Sequence, residues 1–325
     1  MRSATHAVFG EPSKVLTVSD LAVPEPDKGQ VRIKTILAPI HNHDVLTVAG
    51  QYGYKPPLPA IGGTEAVGLI DSLGEGVEGL KIGQRVAVAS VHGTWAEYFI
   101  APAAGVVPMP DLISDEVAAQ LIAMPLSALV LLDFLKVQPG QWVIQNAATG
   151  AVAKVLAMIA KARGIHVVNL VRREDGVEEL KALGIGNVVS TVEVGWQDSV
   201  RAIVGSSSIA AAVDGVGGTA SGDLLSLVGE GGLLVSFGAM SGEPMQLSAG
   251  DMIFKQVTVK GFWLAKLGSA MPRAEMGRLI GELVQLAASG KIKLQVEEVF
   301  ALENISDAVA AAGRGGRKGK VLLRP

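Results

Sequence analysis

Between residues 142 and 262 the chain alternates short apolar runs with helical patterns, and this order admits few folds other than a parallel sheet wrapped by helices. Strands are predicted over 142–146, 166–171, 187–190, 210–213, 233–237 and 257–262. Between them, helices are predicted over 177–183, 196–204 and 220–228. The first helix follows a small-residue turn. It is marked by Val152, Val155, Leu156, Ile159 and Ala160 at i, i+3, i+4, i+7 and i+8, and Gly164 ends it.

The residues before this block read differently. Over 30–40, Val31, Ile33, Thr35 and Leu37 alternate with Arg32, Lys34 and Ile36, a period near two. Short apolar runs at 66–70, 85–89 and 95–100 are separated by Gly74, Gly76, Gly79 and Gly83, which suggests a small barrel-like β domain. A helical region over 115–135 is expected to break at Pro125. After the α/β block, Met276, Leu279, Ile280, Leu283, Leu286 and Ala287 form a helical stripe closed by Gly290. Strands follow at 296–300 and 320–323. The simplest assembly is a β domain begun at the N-terminus and completed by the C-terminal tail, with an α/β nucleotide-type domain inserted.

Composition removes several function classes. The 325 residues carry 28 Lys+Arg against 31 Asp+Glu, so the basic surplus of a nucleic-acid binder is absent, and aromatics for base stacking are only 4%. No cysteine is present, which excludes disulfides, thiol catalysis and Cys-ligated metals. The longest apolar stretch, 121–135, is interrupted by Pro125, Ser127 and Asp133, so no membrane span is expected. Residues 1–12 contain no apolar signal core, and a cytoplasmic location is the expectation.

The turn Gln145-Asn146-Ala147-Ala148-Thr149-Gly150-Ala151-Val152-Ala153 joins a strand to a helix N-terminus. Thr149, Gly150, Ala151 and Val152 are placed where exposed amides and the helix dipole favour a pyrophosphate. A strict G-x-G-x-x-G is absent; Gly150 is its one glycine, and Ala153 stands in the last position, where close helix–strand packing is needed. About twenty residues on, where an NAD site carries an acid for the ribose, Arg172-Arg173 follow a strand. Guanidinium groups suit a 2′-phosphate, so NADPH is expected over NADH. The plainer alternative is a solvated pair partly neutralised by Glu174 and Asp175. Gly238, Ala239 and Met240 fall at the carboxyl edge of the sheet, where ligands of open α/β folds bind.

With these runs in order along nearly the whole chain, the sequence resembles the zinc-free medium-chain dehydrogenase/reductase superfamily, in its quinone-oxidoreductase and enoyl-reductase branch. In the first domain the likeness lies in Ala38-Pro39-Ile40 through Asp44, Gln51-Tyr52-Gly53, Gly62-Gly63-Thr64-Glu65, Gly79-Leu80-Lys81-Ile82-Gly83 and Gly93-Thr94-Trp95. Beyond it come Gln138-Pro139-Gly140, Val143-Ile144-Gln145-Asn146-Ala147, Asn169-Leu170-Val171-Arg172, Gly238-Ala239-Met240, Phe254-Lys255 and Gly261-Phe262-Trp263-Leu264. The runs at 143–147 and 261–264 look most like mitochondrial-type 2-enoyl thioester reductases.

The resemblance implies an α/β protein with a discontinuous GroES-like β-barrel catalytic domain, 1–115 and 265–325, and a Rossmann doubly wound NADP-binding domain, 116–264. It implies a homodimer joined through the cofactor domains and a small-molecule substrate, with no nucleic-acid or membrane partner. It also implies NADPH-dependent reduction of the C=C bond of an enoyl thioester. A quinone or small-enone reductase, or an NADPH-binding protein without turnover, are the alternatives.

Such a reduction needs a hydride donor, a hydrogen-bond donor to the carbonyl and a proton for the α-carbon. A neutral tyrosine, with a pKa of about 10, suits the last two. Tyr52 matches the family's proton donor, and Tyr54, two residues on, is the competing assignment. Phe262, Trp263 and Leu264 are implied beside the nicotinamide, with strand-end core as their plainer use. Lys320 matches a family lysine near the cofactor, with Lys318 as neighbour candidate; Arg314, Arg317, Lys318 and Lys320 read equally as a solvated basic turn.

No metal is expected. His41 stands where the zinc enzymes have a first Cys and Thr64 where they have a histidine, so His41, His43 and Glu65 are read as polar lining. One departure is Met124, where the enoyl reductases carry an Asn near the nicotinamide carboxamide; Ser127, a helical turn later, matches a small polar position.

Overall fold

The computed structural model describes residues 1–325. The chain divides into two compact units, Met1–Ala123 with Leu283–Pro325, and Met124–Glu282. Both crossings lie further along the chain than 115/116 and 264/265, the second within the helix Arg273–Ala288. There Glu282 is tied to Arg163 at 2.8 Å, which holds the helix's first turns with the α/β unit. No helix is long and apolar enough to cross a membrane.

The first unit is built on the strand Gln30–Pro39. It pairs antiparallel with Glu65–Leu73, with Tyr98–Pro102 and, at its end, with Lys320–Arg324. The tail therefore completes the sheet begun by the N-terminal part, and Val296–Ala301 lies parallel outside it. The period of two is realised: Val31, Ile33, Thr35 and Leu37 are buried, while Arg32 and Lys34 face outward. Arg85–Ala89 and Val107–Pro108 extend the sheet beyond Glu65–Leu73. A three-stranded sheet places Arg2–His6 between Thr17–Asp20 and Ala60–Ile61.

Trp95, fully buried, accounts for the Gly62-Gly63 pair. A Cβ on Gly62 would lie 2.3 Å from the Trp95 ring, and one on Gly63, whose φ is +89°, 2.4 Å from it. Trp95 Nε1 donates to the Pro39 carbonyl at 3.1 Å, so the ring is clamped between that strand and the two glycines.

The second unit carries a six-stranded sheet, parallel throughout. Its spatial order is Val188–Ser190, His166–Val171, Trp142–Gln145, Ile209–Asp214, Val228–Ser236 and Thr258–Gly261. The first strand in sequence, Trp142–Gln145, is central and has the second on one side and the fourth on the other. This is the doubly wound order whose switch point falls between Trp142–Gln145 and Ile209–Asp214. Ala151–Ala162 buries Val152, Val155, Leu156, Ile159 and Ala160, the stripe seen in the sequence. Gly164 then takes φ +70°.

Two expectations need correction, one helical and one for a strand. The region 115–135 breaks at 119–122, between Asp115–Ala118 and Ala123–Leu135, and not at Pro125. Pro125 is the third residue of the second helix, where a backbone N–H would have no intrahelical acceptor, so proline costs nothing there. The run 95–100 yields a strand only from Tyr98, because Trp95 is used as a core plug.

Candidate active site

In the α/β unit the polar features gather at the carboxyl ends of the strands. The helix Ala151–Ala162 begins at Gly150 with no side-chain cap, so its first amides are free to receive an anion. Thr149 and Ala151 are half-buried, Gly150 is exposed, and Val152 packs inside. Ala147, with φ +48°, turns the chain into this segment.

A network unseen in the sequence fixes the turn. Asp214, fully buried at the end of its strand, accepts on Oδ1 from Asn146 Nδ2 at 2.7 Å, Val216 N at 2.8 Å and Gly217 N at 3.1 Å. Its Oδ2 accepts from Ser221 Oγ at 2.5 Å. Asn146 Oδ1 in turn accepts from Gly215 N at 2.7 Å. One carboxylate thus ties the phosphate-type turn to the glycine loop across the switch point. The available signal was an Asp ending a strand before Gly-Val-Gly-Gly.

Arg172 and Arg173 both lie exposed after the strand His166–Val171. Arg173 pairs with Asp175 at 3.1 Å, as the plainer alternative anticipated for one of the two. A cavity of about 430 Å³ is lined by Ser236, Phe237, Gly238, Ala239, Gly261, Phe262, Trp263, Lys266 and Leu267, beyond the ends of the last two strands. It gathers Gly238, Ala239, Phe262 and Trp263; Met240 is exposed nearby in sequence, and Leu264 is half-buried. Phe262 also serves the core, at 5.6 Å from Phe134 and 6.0 Å from Phe237 between ring centroids.

The barrel unit holds a second polar cluster. The helix Asn42–Val48 is capped by Asp44, whose Oδ2 accepts from His41 N at 3.0 Å. Thr64 Oγ1 donates to Asp44 Oδ1 at 2.7 Å and lies 2.8 Å from His43 Nε2. His41 Nε2 is 2.7 Å from Glu65 Oε2, and Glu65 Oε1 accepts from the Ile122 and Ala123 amides at 2.7 and 2.8 Å.

The rings of His41 and His43 stack at 5.1 Å, and Tyr52 lies 5.8 Å from His43. Tyr54 instead stacks on His92 at 4.5 Å. The two candidate tyrosines therefore have different surroundings: Tyr52 is half-buried against the cluster, and Tyr54 is exposed.

Lys320 belongs to the same unit, its Nζ 3.5 Å from the Ile40 carbonyl. Burial, reinforced by Arg317, pulls its amine down to about 8, against the pull of Asp44 and Glu65. Burial lifts the Glu65 carboxyl to about 7, although the Ala123 and Ile122 amides and the charges of His43 and Lys320 favour its ionised form. Burial, with Lys320 adding to it, pushes His41 well below the usual histidine value.

Two family models match the chain, "Alcohol dehydrogenase GroES-like domain" over residues 27–111 and "Zinc-binding dehydrogenase" over 151–284. Mitochondrial enoyl-[acyl-carrier-protein] reductase of Arabidopsis thaliana is 33% identical over 99% of this chain and 88% of its own. The Homo sapiens enzyme of the same name is 30% identical over 96% and 85%. Escherichia coli quinone oxidoreductase, solved in complex with NADPH, superposes with a TM-score of 0.88 at 26% identity, covering all of both chains. A GroES-like barrel and a Rossmann-type sheet in one chain define the dehydrogenase/reductase class. This chain belongs to the medium-chain dehydrogenase/reductase family, in its quinone-oxidoreductase-like branch.

The zinc named in one family model does not fit the residues here. Cysteine is absent, Thr64 offers a hydroxyl already shared with His43 and Asp44, and His41 Nε2 is engaged by Glu65. No group of three or more His, Asp or Glu side chains is arranged to hold a metal ion.

Proposed function

We propose that this protein is an NADPH-dependent reductase of activated C=C bonds, acting on a 2-enoyl thioester with Tyr52 as proton donor. The observation that carries the substrate class is likeness to enoyl-[acyl-carrier-protein] reductases along 96–99% of the chain. The uncapped amides after Gly150, the Arg172 guanidinium and the cavity around Gly238 and Phe262 fit the dinucleotide. When bound, NADPH supplies the hydride for the β-carbon. Thr149, Gly150, Ala151 and Val152 take the pyrophosphate, Arg172 and Arg173 the 2′-phosphate, and Gly238, Ala239, Met240, Phe262, Trp263 and Leu264 the nicotinamide side. Tyr52 donates to the thioester oxygen as charge grows there and gives its proton to the α-carbon. The free edge strand Thr258–Gly261, with Ile253 and Phe254 exposed on the preceding helix, supports a homodimer through these units.

A quinone or small enone is the second reading, favoured by the full-length likeness to quinone oxidoreductase and by Met124 in place of the family Asn. NADPH oxidation measured with crotonyl-CoA and with a simple quinone separates the two. The expected result is a kcat/KM at least tenfold higher for the thioester; the reverse order overturns the first reading.

Lys320 is assigned to an anionic group of the cofactor, and its lowered pKa gives this a pH signature. The amine is charged below about 8 and neutral above it, so it attracts an anion only on the acid side. NADPH affinity should fall several-fold between pH 7 and 9. In Lys320→Met it should be weaker at pH 7 and nearly level across that range, read by fluorescence titration.

A further inference from the structure

We propose that His43 is a proton-relay residue behind Tyr52, a role that rests on Tyr52 being the proton donor. The direction of the hydrogen-bond chain argues for it. Asp44 as a carboxylate can only accept, and it accepts from the Thr64 hydroxyl at 2.7 Å and from His41 N at 3.0 Å. With its one proton directed at Asp44, the Thr64 oxygen can only accept from His43 Nε2, 2.8 Å away. That bond puts the hydrogen of neutral His43 on Nε2 and leaves Nδ1 as a base. Asp44 also lies 3.4 Å from His43 Nε2, so an imidazolium formed by protonating Nδ1 is stabilised on its far side. The His43 side chain is 23% exposed, enough for exchange with solvent, and its ring contacts the Tyr52 ring.

The step balances without a further reactant. Tyr52 gives its hydroxyl proton to the α-carbon and is left as a phenolate. The His43 imidazolium passes the Nδ1 proton to that oxygen and returns to the neutral Nε2–H form, and Nδ1 then takes a proton from solvent. An imidazolium is a stronger acid than water by about nine pK units, which makes it the better source for a half-buried phenolate. The ionisable groups of this cluster are His41, stacked on His43, Asp44 on the same helix, Glu65, which feels the His43 charge, Lys320, which acts on His41 and Glu65, and His92, which feels Asp44. The ring contact with Tyr52 is made by His43, which places the imidazole next to the phenol.

The test uses the full chain with NADPH and crotonyl-CoA, in the wild type and in His43→Gln, which keeps an N–H for Thr64 but cannot shuttle a proton. Tyr52 begins each reaction protonated, so the single-turnover rate should change by less than about threefold. The multiple-turnover rate should fall about tenfold or more and recover on adding imidazole. A Thr64→Val variant, which frees the tautomer, should lie between the two. Equal loss in both regimes with no imidazole rescue would assign His43 a structural part only, and no loss in either would also overturn the relay. A Tyr52→Phe variant separates the two levels. If it keeps full single-turnover activity, relay and parent reading fall together; if it loses that activity while His43→Gln turns over normally, the relay alone falls.

Discussion

Replacing Tyr52 by Phe should lower kcat for crotonyl-CoA by about 10²- to 10³-fold, the range for losing a general acid that also donates to an oxyanion. Phe keeps the ring that packs 5.8 Å from His43, so the barrel loses one hydroxyl and little packing. KM for the thioester and the affinity for NADPH should stay within about threefold, because the lost interactions grow mainly in the transition state. Quinone turnover, which needs no proton on carbon, should be nearly unchanged. Tyr54→Phe is the internal control. Its ring stacks on His92, and the loss of its hydroxyl should cost less than twofold. A large effect at Tyr54 with none at Tyr52 would transfer the role.

The double change Arg172→Ala with Arg173→Ala should weaken NADPH by roughly 100-fold and NADH by less than threefold. Charge-assisted hydrogen bonds to a phosphate contribute about 1.5–3 kcal/mol each, and NADH has no 2′-phosphate to receive them. Arg172 should account for most of the loss, since Arg173 already spends part of its charge on Asp175 at 3.1 Å. Equal losses for the two cofactors, measured by titration under one salt condition, would remove the 2′-phosphate argument.

The strands and long helices of the α/β unit were legible because their signals are local. Period-3.6 stripes such as Val152 to Ala160, and apolar runs such as His166–Val171, need no knowledge of neighbours. The turn between Trp142–Gln145 and Ala151–Ala162 was legible for the same reason, since small residues between a strand and a helix form a contiguous pattern. Short helices such as Asn42–Val48 escaped notice, because their formation depends on a cap and on packing more than on periodicity.

By itself, then, the order of residues determined the two-part architecture and the sheet's direction, and it marked one segment for an anion. These follow from hydrophobic spacing and turn chemistry read over a few residues at a time. Tertiary structure alone decided that Asp214 reaches Asn146 68 positions away, that Trp95 sits on Gly62 and Gly63, and that His43, Thr64 and Asp44 form a directed chain beside Tyr52. Such contacts join residues far apart along the backbone, and a polar side chain's partner is set by which burial leaves it otherwise unsatisfied, a condition no local pattern encodes.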